Sequence, residues 1–105
     1  MEGKDKKTGR KMEIDIFLHD TMDSVAVEVK ILCTKKKIVH FLEQMRMFKQ
    51  IFTRFADNKI YVAVAAINFD REAVEYVMEM GVFLIHCKND VFTLEPASKE
   101  KMLFF

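Results

Sequence analysis

The sequence predicts an α/β protein: a mixed β-sheet flanked by helices, in the order strand, strand, helix, strand, helix, strand, strand. Three observations carry this. Apolar and polar residues alternate over 13–19 and 25–31, the period of strands. From Ile38 to Phe55, apolar residues recur every three or four positions, the period of an amphipathic helix. Residues 60–67 are almost continuously apolar, as in parallel strands covered on both faces. Right-handed strand–helix–strand crossovers over 25–67 and 60–87 then place the helices on the sheet.

Taken in order, residues 1–11 are polar, basic and without period, and read as a disordered tail before a single domain at 12–105. In 13–19, Ile14, Ile16 and Leu18 share one face, and Glu13, Asp15, Phe17 and His19 share the other. Asp20-Thr21-Met22-Asp23-Ser24 has the composition of a turn, so 13–19 and 25–31 form an antiparallel hairpin. Thr34 caps the long helix, whose stripe is Ile38, Phe41, Leu42, Met45, Phe48, Ile51, Phe52 and Phe55. Asp57 and Asn58 end it, and strand 60–67 follows. Asp70 caps a helix over 71–80, with Phe69 and Val74 spaced as a hydrophobic staple. Gly81 stands where a left-handed cap is needed. A strand at 82–87, a turn at Lys88-Asn89-Asp90 and a last strand at 91–95 complete the sheet. The tail starts at Pro96 and ends in Met102-Leu103-Phe104-Phe105, which can dock on the core or on a partner.

Half of the 105 residues are apolar and 31% are charged, which suits one globular domain. No apolar run approaches the roughly 20 residues that span a bilayer, and the first residues lack the apolar core of a secretory signal. A cytoplasmic setting is expected. Cys33 and Cys87 have neither metal-binding nor redox spacing and read as free thiols. The net charge of +1 announces no global basic field. Locally, Lys4, Lys6, Lys7, Arg10 and Lys11 crowd the N-terminal segment, and Lys35, Lys36 and Lys37 form a second cluster. No Gly-rich phosphate loop, serine elbow or HExxH helix is present. His19, His40 and His86 have no metal-ligand spacing; His19 shares a face with Asp15, at the rim of any cleft there.

One stretch points to chemistry. In Val25-Ala26-Val27-Glu28-Val29-Lys30-Ile31, strand alternation puts Glu28 and Lys30 on one face and Val25, Val27, Val29 and Ile31 on the other. Asp15 lies on the neighbouring strand. Charges inside a sheet covered on both faces need each other, a metal or a cleft. A phosphodiesterase needs a nucleophilic water and neutralised phosphoryl oxygens, and a hard divalent ion supplies both. Mg2+ is held by one or two carboxylates with waters and substrate oxygens. Asp15 and Glu28 fit that role, with the backbone carbonyl of Val29 as a third ligand and the Lys30 ammonium beside the transition-state anion. The competing reading is an ordinary charged pair on a half-solvated sheet.

Asp15, then Glu28-Val29-Lys30 in a strand feeding an amphipathic helix, then the apolar strand 60–67, resembles the PD-(D/E)XK nuclease superfamily. The resemblance spans about Glu13 to Glu95 and looks like the small, uncharacterised restriction-endonuclease-like domains of archaea and bacteria. It implies a restriction-endonuclease-like sheet, metal binding by Asp15 and Glu28, catalysis by Lys30, a Mg2+ or Mn2+ cofactor, and duplex or branched DNA as substrate. Gln44, with Phe48 four residues on, looks like the Gln-and-aromatic pattern that some such nucleases carry on this helix. Family members usually add an N-terminal helix with an acidic residue. Only the basic tail precedes Glu13 here, so Glu13, two residues from Asp15, is expected to stand in for that acid.

Lys35, Lys36 and Lys37 at the helix start either attract phosphate beside Lys30 or form a solvated basic turn. An open sheet edge or apolar surface would favour a homodimer. The expected function is metal-dependent DNA hydrolysis. The alternative is an inactive nuclease-like fold that binds nucleic acid or dimerises. A nucleotide-binding regulatory domain is a weaker third option, because the chain lacks a phosphate loop.

Overall fold

The computed structural model describes residues 1–88, 91–95 and 102–105. The chain is α/β, with a mixed sheet flanked by helices. Strands β3 (Ile16–His19), β4 (Asp23–Cys33), β5 (Lys59–Phe69), β6 (Phe83–Lys88) and β7 (Val91–Glu95) lie side by side in that order. The outer pairs β3–β4 and β6–β7 are antiparallel, and β4–β5 and β5–β6 are parallel. Parallel neighbours require crossovers. The first is α1 (Lys35–Met45) with the short α2 (Phe48–Ile51) and a 3-10 turn at Thr53–Phe55; the second is α3 (Arg71–Met80). The strands β1 (Glu2–Lys4) and β2 (Lys11–Glu13), at the chain start, form a separate two-stranded hairpin.

Local chemistry sets the helix ends. The Thr34 hydroxyl accepts the Lys37 N–H at 3.3 Å, and the Asp70 carboxylate accepts the Ala73 N–H at 2.8 Å. Each satisfies one otherwise orphaned donor of a first turn. Gly81 ends α3 at φ 78°, a left-handed conformation that glycine adopts without strain.

The core lies on one face of the sheet. There Ala26, Ile60, Val62, Val64, Ala66 and Leu84 meet Ile38, Phe41, Leu42 and Met45 of α1 and Ala73 and Val77 of α3. Coverage of both faces, expected from the apolar strands, is corrected. The strand order β4, β5, β6 makes both crossovers step the same way, so two right-handed connections put α1 and α3 together on one face. On the opposite face Ile16, Leu18, Val29, Ile31 and Ile67 are exposed, Ile31 at 77%.

Three further expectations change. Residues 1–11 are not a disordered tail: β1 pairs with β2, placing Glu2 opposite Glu13 and Lys4 opposite Lys11. Strand 13–19 is broken at Ile14-Asp15, where the chain leaves the hairpin for the main sheet. The break inverts the alternation, so buried Ile14 and half-buried Phe17 pack on the core while Ile16 and Leu18 face outward. The long helix is interrupted at Arg46-Met47. Beyond the interruption, Phe48 and Phe55 pack on Phe17, with ring centroids 5.3 and 4.8 Å away. Offset aromatic contacts of this kind add about 0.5–1.5 kcal/mol beyond burial.

The end of the chain docks on the core. Phe105 exchanges backbone hydrogen bonds of 2.9 and 3.0 Å with Ile60, and the Leu103 N–H donates to the Gly81 carbonyl. Of the expected turn Lys88-Asn89-Asp90, Lys88 is the last residue of β6; Asn89, Asp90 and the start of the tail at Pro96 lie outside the described residues. Among the described residues no helix is long and apolar enough to cross a membrane.

Candidate active site

β3 pairs with β4 only as far as Ile16 opposite Val27. Beyond that point the β4 edge is open, and the Val29 N–H needs another acceptor. Asp15, at the bend just before β3, supplies it: its Oδ2 accepts the Val29 N–H at 2.9 Å. The side chain is thus fixed against the β4 backbone. N–H and C=O of one strand residue project to the same edge, so the Val29 carbonyl also lies on the Asp15 side.

Glu28 and Lys30 point to the opposite face from Val29, toward α1. Their side chains are 15% and 37% exposed, and Lys30 Nζ lies 3.1 Å from Glu28 Oε1. Burial holds the Glu28 carboxyl above its ordinary range. Its hydrogen bond to Lys30 opposes that effect, and the nearby negative charge of Asp15 reinforces it. Glu28 thus stands beside a second carboxylate, Asp15, and is paired with one ammonium, Lys30.

The three residues open into a cleft of about 850 Å³, which Val29 also lines. Glu13 and Gln44, expected as supporting residues, line it too. An adjoining cleft of about 370 Å³ shares Glu28, Lys30 and Gln44 and adds Thr34, Lys36 and Lys37. The lysine cluster divides. Lys37 Nζ donates to the Leu32 carbonyl at 2.8 Å, while Lys35 turns away and stacks its ammonium over the Tyr76 ring on α3, 5.3 Å from the centroid.

His19 is not at the rim. It hydrogen-bonds Ser24 at 2.9 Å near the start of β4, beside Asn58 and the Phe55 ring. His40 is there instead, lining both clefts one helical turn before Gln44. Its i, i+4 spacing to Gln44 was the available signal. Glu2, Lys4 and Lys11 also line the larger cleft, because the hairpin forms one of its walls; the aperiodic N-terminal sequence carried no signal for this.

No protein-family model, curated protein or solved structure matches the chain. The functional reading therefore rests on the chemistry of the site. Among the described residues, no group of three or more His, Cys, Asp or Glu side chains forms a ready metal cage. What the cleft offers is two adjacent carboxylates, a strand-edge carbonyl and open space for water. That hard-oxygen set suits Mg2+ or Mn2+, which keep waters and substrate oxygens in their shell.

Proposed function

We propose that this cleft hydrolyses phosphodiester bonds in duplex or branched DNA with a divalent metal, as a restriction-endonuclease-like nuclease. The observation that carries the reading is the meeting of Asp15, Glu28 and Lys30 at one cleft, from two strands. Among the described residues the one cation ion-paired with either carboxylate is Lys30, which pairs with Glu28. Adjacent carboxylates, one of them held above its usual range, form a site that a cation relieves.

Asp15 and Glu28, with the Val29 carbonyl, would hold the metal, Mg2+ or Mn2+. A bound divalent ion supplies an acidified water and neutralises charge on the phosphoryl oxygens. Lys30 would orient the attacking water and stabilise the anionic transition state. The water oxygen bonds to phosphorus as the bond to the leaving sugar oxygen breaks, and a proton passes from the water side to the leaving oxygen. Gln44 and Glu13 position substrate and water from the cleft walls. Lys36 and Lys37, with Lys35 at longer range, attract the phosphate backbone. Incubation of the protein with supercoiled, linear and branched DNA, with and without Mg2+ or Mn2+, tests the reading. Metal-dependent cleavage that is lost in Glu28→Ala and Lys30→Ala supports it; cleavage that survives both rejects it.

The outer sheet face favours a second reading, an inactive nuclease-like fold that dimerises. On that face, alternate residues from Val25 to Ile31 and from Tyr61 to Ile67 are all uncharged. Two copies of the chain meet there without like-charge repulsion, at a surface whose exposed apolar residues gain from burial. Sedimentation velocity over a concentration series reads this directly, and monomer at every concentration removes it.

A further inference from the structure

The basic N-terminal segment has a shape. Lys4, Lys6, Lys7, Arg10 and Lys11 all fall on the β1–β2 hairpin or its turn, and all five are exposed. The turn is internally bonded. The Asp5 N–H donates to the Arg10 carbonyl at 2.8 Å, and the N–H of Gly9, at φ 72°, donates to the Asp5 carbonyl at 2.9 Å. The Asp5 carboxylate accepts the Lys7 N–H at 3.0 Å and the Thr8 hydroxyl at 2.9 Å, so it is engaged within the turn. Arg10 rests on Met47 Sδ at 3.3 Å, which leaves four lysines facing solvent. The base of the hairpin is seated firmly: a Cβ on Gly3 would come within 2.5 Å of the Phe52 ring and 2.6 Å of Ile51.

Two features leave the lysines available to an anion. Lys4 lies directly opposite Lys11, and like charges in that position destabilise a strand pair. Among the described residues none of the five cations forms an ion pair. Lys4 and Lys11 also line the large cleft together with Asp15, Glu28 and Lys30.

We infer that the β1–β2 hairpin is a clamp for the phosphate backbone of duplex DNA, gripping the strand beside the bond to be cut. This role rests on the reading of the cleft as a DNA-cleaving site. A row of unpaired lysines on a preformed ribbon matches a regular array of phosphates. The turn Lys6-Lys7-Thr8-Gly9 has no aromatic side chain on which an unpaired base could stack, which favours duplex over single strand.

The test uses a fluorescent duplex of about 20 base pairs, bound in EDTA so that nothing is cut, over roughly 50–200 mM salt. The full chain is compared with Lys6→Glu/Lys7→Glu and with Lys4→Gln/Lys11→Gln. Each variant should bind at least roughly tenfold more weakly, and the slope of log affinity against log salt should shrink by about 0.9 for each phosphate no longer neutralised. Lys4→Gln/Lys11→Gln should melt no lower than the parent, since it removes a like-charge pair; it decides the matter if the glutamate variant unfolds. Affinity and slope unchanged in both variants overturn the clamp. So does a wild-type protein that fails to bind duplex, or that prefers single strands. The cleavage reading is judged separately: Glu28→Ala should bind the duplex like the parent and fail to cut it with Mg2+.

Discussion

Lys30 Nζ stands 3.1 Å from Glu28 Oε1, two residues along the same face of β4. Without a metal, the ammonium is what steadies a half-buried carboxylate. In the proposed function, a metal on Glu28 would free the same ammonium to act on the phosphate. Lys30→Ala should therefore lower the single-turnover cleavage rate by about 10²-fold or more. Duplex affinity in EDTA should change little. A comparable loss in affinity would make Lys30 a binding residue instead.

Glu28 also makes stability depend on pH. Its folded carboxyl titrates above the ordinary 4.5, chiefly through burial, so the protonated form is the one the fold prefers. That contribution is fully present below the unfolded value and is lost as pH rises through the folded one. In metal-free buffer, Glu28→Gln should raise the melting temperature by a few degrees at neutral pH and leave it unchanged at acid pH. Thermal melts of both proteins across that window check the sign. A variant that melts lower at neutral pH would mean that the Lys30 pair outweighs the desolvation.

At the start of β4, Asn58 donates to the Ser24 hydroxyl at 3.3 Å and to the Asp20 carbonyl at 3.4 Å, and Ser24 also bonds His19. Ser24 and Asn58 are buried. Asn58→Ala leaves these groups short of a partner and should cost about 1–3 kcal/mol in urea unfolding. The proposed cleavage at Glu28 and Lys30, further along β4, should persist in the variant below its melting point.

The two thiols should behave differently. Cys33 is buried, and desolvation, with the charge of Asp70 adding to it, pushes its thiol up to about 11. Cys87 is partly exposed. A disulfide reagent at mildly alkaline pH should modify one thiol in the native protein, mapping to Cys87, and both in denaturant. Rapid native labelling of Cys33 would contradict the packing at the end of β4.

Much of the fold was legible because side-chain period reports secondary structure directly. Thr34, Asp70 and Gly81 announced their helix ends through elementary capping chemistry. Glu28 and Lys30 were legible as a candidate site because two charges break an apolar strand. The interruption at Arg46-Met47 was not, since Phe48, Phe52 and Phe55 resume burial in phase with the stripe before it. The N-terminal hairpin was hidden for a different reason. Its strands are three residues long and set like charges opposite one another, so neither alternation nor pairing preference marks them. His40 carried little signal of its own, because a lone histidine on a helix has no metal-ligand spacing; only the packing of α1 beside Glu28 brings it to the cleft.

The central claim is that Asp15 and Glu28 share one divalent ion beside Lys30. A crystal soaked in Mn2+ and measured at the manganese absorption edge addresses it most directly. An anomalous peak is expected between the two carboxylates, near the Val29 carbonyl, and should be lost in Glu28→Ala. No peak there at saturating Mn2+, or a peak that survives the substitution, would contradict the shared ion.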